Sequence, residues 1–231
     1  MADGVTADRE APQPAEPHFK REVGETFLRC VKENIAHDNV VIELNGLKIA
    51  EDKTFADCAR YMLTAMLGLC LPAPSGARAE YRALYAPPGA IPEPGNKDAY
   101  LELLRAARAQ VARWRALLQK FLRSEDDQVE LLLTLEEFCS AEGDYELSGE
   151  HGAVFAHVFP QLLKTLYDLD IVSEEALQQW ASEKELADEQ EKVFLRKAQP
   201  FLDWLREAEE ESEEEDEEEE EEDESSADDE S

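Results

Sequence analysis

The stretch from Leu166 to Asp216 places the strongest constraint on what this chain can fold into. It holds two apolar, aromatic-bearing segments, one around Tyr167 and Trp180 and one around Phe194, Phe201 and Trp204. Each is flanked by carboxylates, and the second runs straight into a nearly pure glutamate tail. Trp204, Leu205 and Ala208 stand at helical spacing from Phe201, so one face can be buried while Asp203, Arg206 and Glu207 stay in water. Large aromatics are mostly buried, which puts the rings of both Trp180 and Trp204 in a core. The surface around them reads differently, since aromatic anchors ringed by acids offer a dock to a lysine-rich segment. The residues expected to form that dock are Tyr167, Asp168, Asp170, Glu174, Glu175 and Trp180 in the first segment. In the second they are Trp204, Glu207, Glu209, Glu210 and Glu211.

Charge narrows the partners. The chain of 231 residues carries 23 Lys+Arg against 55 Asp+Glu, a net charge of −32. From Glu207 onward there are 19 acids and no bases, and the rest still has 36 acids against 23 bases. A phosphate backbone or an anionic membrane needs a basic footprint, so neither nucleic acid nor membrane is the expected partner. A basic protein segment is, and a field of this sign steers it in fastest at low salt. Cys30, Cys58, Cys70 and Cys139 lie far apart in apolar, helix-like surroundings and read as buried, reduced thiols. With no basic-then-apolar leader and no long apolar run, the expected location is the cytosol.

In chain order, residues 1–17 are polar, Pro-bearing and without periodicity, and read as a disordered leader. Phe19, Val23, Phe27, Cys30 and Val31 form one stripe of a helix from His18 to near Ile35. Asp38 is the expected N-cap of the next helix, in which Val40, Leu44 and Leu47 share an apolar face. Thr54 with Asp57 predicts a capping box, then a helix from Phe55 to Leu71 stopped at Pro72. Residues 71–95 contain six prolines and three glycines and read as a linker, with Tyr81 and Tyr85 able to pin it to the surface and a short helix at Ala79–Leu84 as one option. A strongly helical pattern runs from Asp98 to Arg123; its Arg105, Arg108, Arg113, Arg115 and Lys120 read as a solvated face that offsets neighbouring acids. Ser124 with Asp127 starts a helix that reaches Cys139, and 142–152 is a turn region. Val154 to Tyr167 is nearly all apolar, and Pro160 either kinks that helix or opens a new one. Ser173, followed by Glu174 and Glu175, starts a helix reaching Trp180. The last helix is expected from about Leu186 to Glu207, and the acidic tail 209–231 to be disordered. Ser212, with acids after it, resembles a casein kinase 2 acceptor site.

The words YDLDIVSEEALQQW, FLDWLREAEEESEEED and KENIAHDNVVIELNGLK, taken together, resemble the W2 domain family, HEAT-type helical modules at the C-terminus of several translation initiation factors. Within that family the resemblance is to the module of the initiation factor 2B epsilon subunit, and it spans about His18 to Asp216. It implies an all-α fold of antiparallel helical pairs, an α-solenoid, over 18–208. It also implies a role in translation initiation as a guanine-nucleotide exchange factor that promotes GDP release from initiation factor 2. The expected partners are that factor's GTPase gamma subunit, the lysine-rich segment of its beta subunit, and other subunits of initiation factor 2B. By the same resemblance the exchange surface is the apolar–acidic pair Ile42 and Glu43, with Asn45 two places on. No cofactor and no metal are implied.

The residues themselves offer little for covalent catalysis: there is no P-loop, no G-x-S-x-G and no H-E-x-x-H. Two readings remain. In one the chain accelerates GDP release; in the other it is a passive adaptor that holds lysine-rich segments and leaves the nucleotide alone. Only the first requires the side chains of Ile42 and Glu43.

Overall fold

The structure, a computed structural model, describes residues 15–140 and 152–208. The expectations for the leader before residue 15, the turn region up to His151, Glu209, Glu210, Glu211, Ser212 and the tail lie outside the described residues. The helices are α1 (Ala15–Glu33), α2 (His37–Ala50), α3 (Phe55–Gly68), α4 (Lys97–Phe121), α5 (Glu125–Cys139), α6 (Phe159–Asp168) and α7 (Glu174–Glu185), with α8 over 193–208. Two 3₁₀ turns, Arg82–Leu84 and Gly152–His157, complete them. Among the described residues the only extended pairing is one isolated bridge, Pro72 with Ala86. No helix among them is long and apolar enough to cross a membrane.

The helices stack as two layers. Along one layer α1 packs on α3, α3 on α5 and α5 on α7; along the other α2 packs on α4 and α4 on α6. Ring contacts extend the second layer to α8, with Phe159 and Phe194 at 4.6 Å and Tyr167 and Phe201 at 6.2 Å between centroids. The helices thus have their neighbours two positions away in sequence, and α1 faces α2 and α3 faces α4 across the layers, the stacking of a HEAT-type solenoid. α3 sits at the centre. From Ala56 to Leu71 all residues but Asp57 and Arg60 are buried, because the helix is apolar nearly all round. Cys30, Cys58, Cys70 and Cys139 are buried and unpaired in this core.

Local chemistry explains most boundaries. Thr54 and Asp57 form the capping box of α3, with Thr54 Oγ1 accepting from the Asp57 N–H at 3.0 Å and Asp57 accepting from the Thr54 N–H at 2.9 Å. Ser124 and Asp127 do the same for α5. Asn96 caps α4, Ser173 caps α7, and Pro160 lies in the first turn of α6, where its missing N–H costs nothing. Several boundaries differ from expectation, among them the end of α3, which falls at Gly68 rather than Leu71. α1 already begins at Ala15, with Pro17 in its first turn. Asp38 is not a cap: Ala36 holds that position without a side-chain bond, and Asp38 stands in the first turn, paired with Lys120 at 2.6 Å. α7 continues past Trp180 to Glu185, and α8 starts near 193 rather than 186, because residues 186–192 are a polar turn with Leu186 90% exposed.

The Pro-rich connector is pinned. The Ala86 N–H donates to the carbonyls of Leu69 and Leu71, Tyr81 and Tyr85 are buried, and Arg78 pairs with Glu25 of α1 at 2.6 Å. The short helical option is realised as the 3₁₀ turn Arg82–Leu84.

Glu136 of α5 and Lys184 of α7 form a buried pair at 2.5 Å, with side chains 8% and 14% exposed. Burial pushes the Glu136 carboxyl above its ordinary range, and Lys184 opposes that. Lys184→Met strands the carboxylate and should cost about 3–5 kcal/mol in urea unfolding at neutral pH. A carboxyl with a raised folded pKa is penalised as pH rises, so the deficit should shrink toward acidic pH. A pH-independent deficit would mean that packing, not charge, was lost.

Candidate docking and exchange surfaces

The first acidic segment is built by the end of α6. Tyr167 and Asp168 occupy its last turn, and the chain then reverses through Asp170 at φ 50, with the Ile171 N–H donating to the Leu166 carbonyl at 2.9 Å. Aspartate tolerates this left-handed conformation better than most residues. The reversal turns the acids toward α4: Arg108 pairs with Asp168 at 3.3 Å, Arg115 with Asp170, and Gln119 donates to the Asp170 carbonyl at 2.9 Å. The α4 arginines therefore do offset neighbouring acids, and those acids include two expected in the dock. Lys164 also pairs with Asp168, at 2.8 Å, and its ammonium holds that carboxyl below the ordinary range, with Arg108 adding to the effect. Tyr167 is half-buried; burial pushes its phenol up, and the carboxylates of Glu174 and Glu175 add to that. Together Gln128, Tyr167, Asp168, Asp170, Val172 and Ser173 line a cleft of about 330 Å³.

The two tryptophans part company. Trp180 is fully buried, its ring 6.2 Å from Phe159. Trp204 is 46% exposed, which corrects the core assignment. On α8 the buried stripe is Leu195, Ala198, Phe201, Leu202 and Leu205, and Trp204 stands one position off it, about 100° around the helix. It lies instead along Phe201, 6.0 Å between centroids with planes 19° apart. The Lys164 ammonium sits 4.6 Å from the Trp204 centroid. Glu207 is exposed on the last turn of α8.

The α2 residues also divide. Ile42 is 67% exposed, and Ile49, seven positions on and hence on the same face, is 74% exposed. Glu43 is not free: Arg29 of α1 holds its carboxylate, and the Cys30 thiol lies 3.8 Å from it. Burial, and then Glu43, push the Cys30 thiol up to about 11. The Asn45 side-chain oxygen is buried without a hydrogen-bond partner among the described residues. Arg29, Lys164 and Ile49 had not been singled out from the sequence. Ile49 could have been, from its i+7 spacing to Ile42, and Lys164 from its i+4 spacing to Asp168; the reach of Arg29 to Glu43 carries no local signal.

Within the layer α2–α4–α6–α8, Ile42 and Trp204 stand at opposite ends, three interhelical steps of roughly 8–10 Å apart. Asp170 lies between them, since adjacent residues of α4 reach both it and α2: Gln119 bonds Asp170 and Lys120 bonds Asp38.

Residues 127–215 match the W2 family, described as eIF4-gamma/eIF5/eIF2-epsilon. The chain is 32% identical over 198 residues to the translation initiation factor eIF2B subunit epsilon of Dictyostelium discoideum, covering 86% of this chain and 24% of that protein. It is 29% identical over 196 residues to the same subunit of Schizosaccharomyces pombe, covering 84% and 23%. The eukaryotic translation initiation factor 5 of Phaseolus vulgaris is 37% identical over 85 residues, 37% of this chain and 17% of that one. The chain thus spans about a quarter of the length of the epsilon subunits it matches. With its two-layer helical stack and paired acid-flanked aromatic segments, the chain carries a W2 domain and is related to part of the eIF2B epsilon subunits.

Proposed function

We propose that this chain works in translation initiation, in the cytosol, as a guanine-nucleotide exchange module that promotes GDP release from initiation factor 2. Its relatives are epsilon subunits of eIF2B, which supports the exchange role at the level of the family. The observation that carries it to this chain is the exposed Ile42 beside Glu43 on α2, at the far end of a layer from Trp204. An isoleucine 67% exposed on a well-formed helix costs the fold apolar surface in water and is available to a GTPase. Exchange needs no covalent chemistry: the module has to bind the open, nucleotide-releasing state more tightly than the GDP state. The GTPase gamma subunit would meet α2, while the lysine-rich beta-subunit segment would meet the face of Tyr167, Glu174, Glu175 and Trp204 and the acids that follow Glu207. Other eIF2B subunits are further partners on this reading.

The test is release of fluorescent GDP from purified initiation factor 2. The chain should accelerate it, and Ile42→Ala should lose roughly tenfold of the acceleration while keeping its helicity, since the lost contact is made only in the complex. The passive adaptor has one observation in its favour: the W2 match covers 127–215 and leaves out α2. No acceleration by the wild-type chain, with binding of a lysine-rich peptide intact, would decide for the adaptor.

A further inference from the structure

We propose that the open face of Trp204 and the carboxylate of Asp168 form a subsite for one primary ammonium, that Lys164 is its resident occupant, and that a partner's lysine enters by displacing it. This rests on the docking half of the function proposed above and names the group that limits it.

The two walls come from different helices. Asp168 ends α6, and Trp204 stands on α8, its one face backed by Phe201 in near-parallel contact. Tyr167 meets the other edge of that platform, with its ring 6.2 Å from Phe201 and 67° inclined. Phe201 is itself buried, so the platform is fixed by the core rather than by the ligand. Lys164 places its ammonium 2.8 Å from Asp168 Oδ1 and 4.6 Å from the Trp204 centroid. That is a charge-assisted hydrogen bond together with a cation on an aromatic face, within the roughly 6 Å over which such attraction operates. A side chain of this protein thereby displays the chemistry the notch accepts.

The occupant is also easy to remove. Lys164 is 48% exposed, so its ammonium can move into water without leaving a buried charge. On a helix a lysine that precedes its acid by four residues is the weaker orientation of such a pair. Arg108 remains on the other oxygen of Asp168 at 3.3 Å, which keeps the carboxylate ionised and in place while the ammonium is exchanged. Exchange of one lysine for another brings little net gain at the notch. Affinity must then come from further lysines of the same segment, which the acids Glu174, Glu175 and Glu207 can receive. Lys164 thus favours segments with several lysines over isolated ones. Apparent affinity is the intrinsic affinity multiplied by the fraction of molecules in which the notch is free.

Titration of the full chain with a synthetic oligolysine peptide tests this. Lys164→Gln should tighten binding roughly 3–10-fold. Lys97→Gln, the same charge change at the exposed start of α4, should alter it by less than about twofold. In a Trp204→Leu background with wild-type circular dichroism, the gain from Lys164→Gln should shrink to at most about half, since the ring is gone and only the Asp168 half of the notch is left to free. Equal effects of the Lys164 and Lys97 changes, or a gain undiminished in Trp204→Leu, would overturn the subsite while leaving the dock standing. Failure of wild type and Lys164→Gln alike to bind oligolysine would overturn the dock itself, and the subsite with it.

Discussion

Trp180→Ala should destabilise the chain by about 3–5 kcal/mol, and Trp204→Ala by no more than about 1–2 kcal/mol, although both residues sit in acid-flanked aromatic segments. Trp180 is fully enclosed where α7 meets Phe159 of α6, so truncation leaves a cavity that rigid neighbours on two helices cannot fill. Trp204 already has nearly half its surface in water, and its loss exposes mainly one face of Phe201. For a chain of this size the first change should lower the melting temperature by roughly 6–20 °C and the second by a few degrees. Thermal melts followed by circular dichroism give both numbers. The comparison has a functional use: Trp204 variants can be read for partner binding without confounding by unfolding, whereas Trp180 variants cannot. Similar large losses for both would return Trp204 to the core and remove the exposed wall of the ammonium subsite.

How far the sequence reaches is visible in the same two residues. Features with a local cause were legible. The capping boxes at Thr54 and Ser124 and the cap at Ser173 each follow from groups within four residues of one another, and Pro160 marked a break whose form, a new helix rather than a kink, the structure decides. The all-α class followed from periodicity, although the near-complete burial of α3 was not foreseen. Register at the end of a layer was not legible. The hydrophobic stripe of α8 runs through Leu202 and Leu205, and a shift of one position decides whether an indole is buried or half in water. The start of α8 was missed because Leu186 and Ala187 extend an apolar pattern that the fold leaves in solvent. The pairings that shape the site were hidden for a different reason. Arg108 reaches Asp168 across 60 residues and Arg115 reaches Asp170 across 55, distances at which spacing carries no signal. Only the stacking of α4 on α6 brings them together, and it turns two acids expected to await a partner into acids that already have one.

Glu43→Ala should leave helical content, melting temperature and oligolysine affinity close to wild type, yet abolish most of the acceleration of GDP release. Small stability loss is expected because the Arg29–Glu43 pair is partly solvated, with side chains 38% and 33% exposed, and such pairs contribute about 1 kcal/mol or less. Oligolysine affinity should hold because α2 and α8 are the two ends of one layer, with α4 and α6 between them. The loss of exchange follows if Glu43 makes an interaction chiefly in the open state of the GTPase, which lowers the barrier without adding to ground-state binding. Arg29 sharpens the test. In the free chain it holds the Glu43 carboxylate against α1, so a partner's cation has to take Glu43 from it or bind the pair as it stands. Should the carboxylate be handed over, Arg29→Ala frees it in advance and keeps or raises exchange, while Glu43→Ala removes it. Should the pair act together, both variants lose exchange, and the double variant is no worse than either alone. Release rates of fluorescent GDP for wild type, the two single variants and the double variant separate these outcomes. Equal rates for wild type and Glu43→Ala would take the exchange role away from α2 and leave the W2 domain as an adaptor for basic segments.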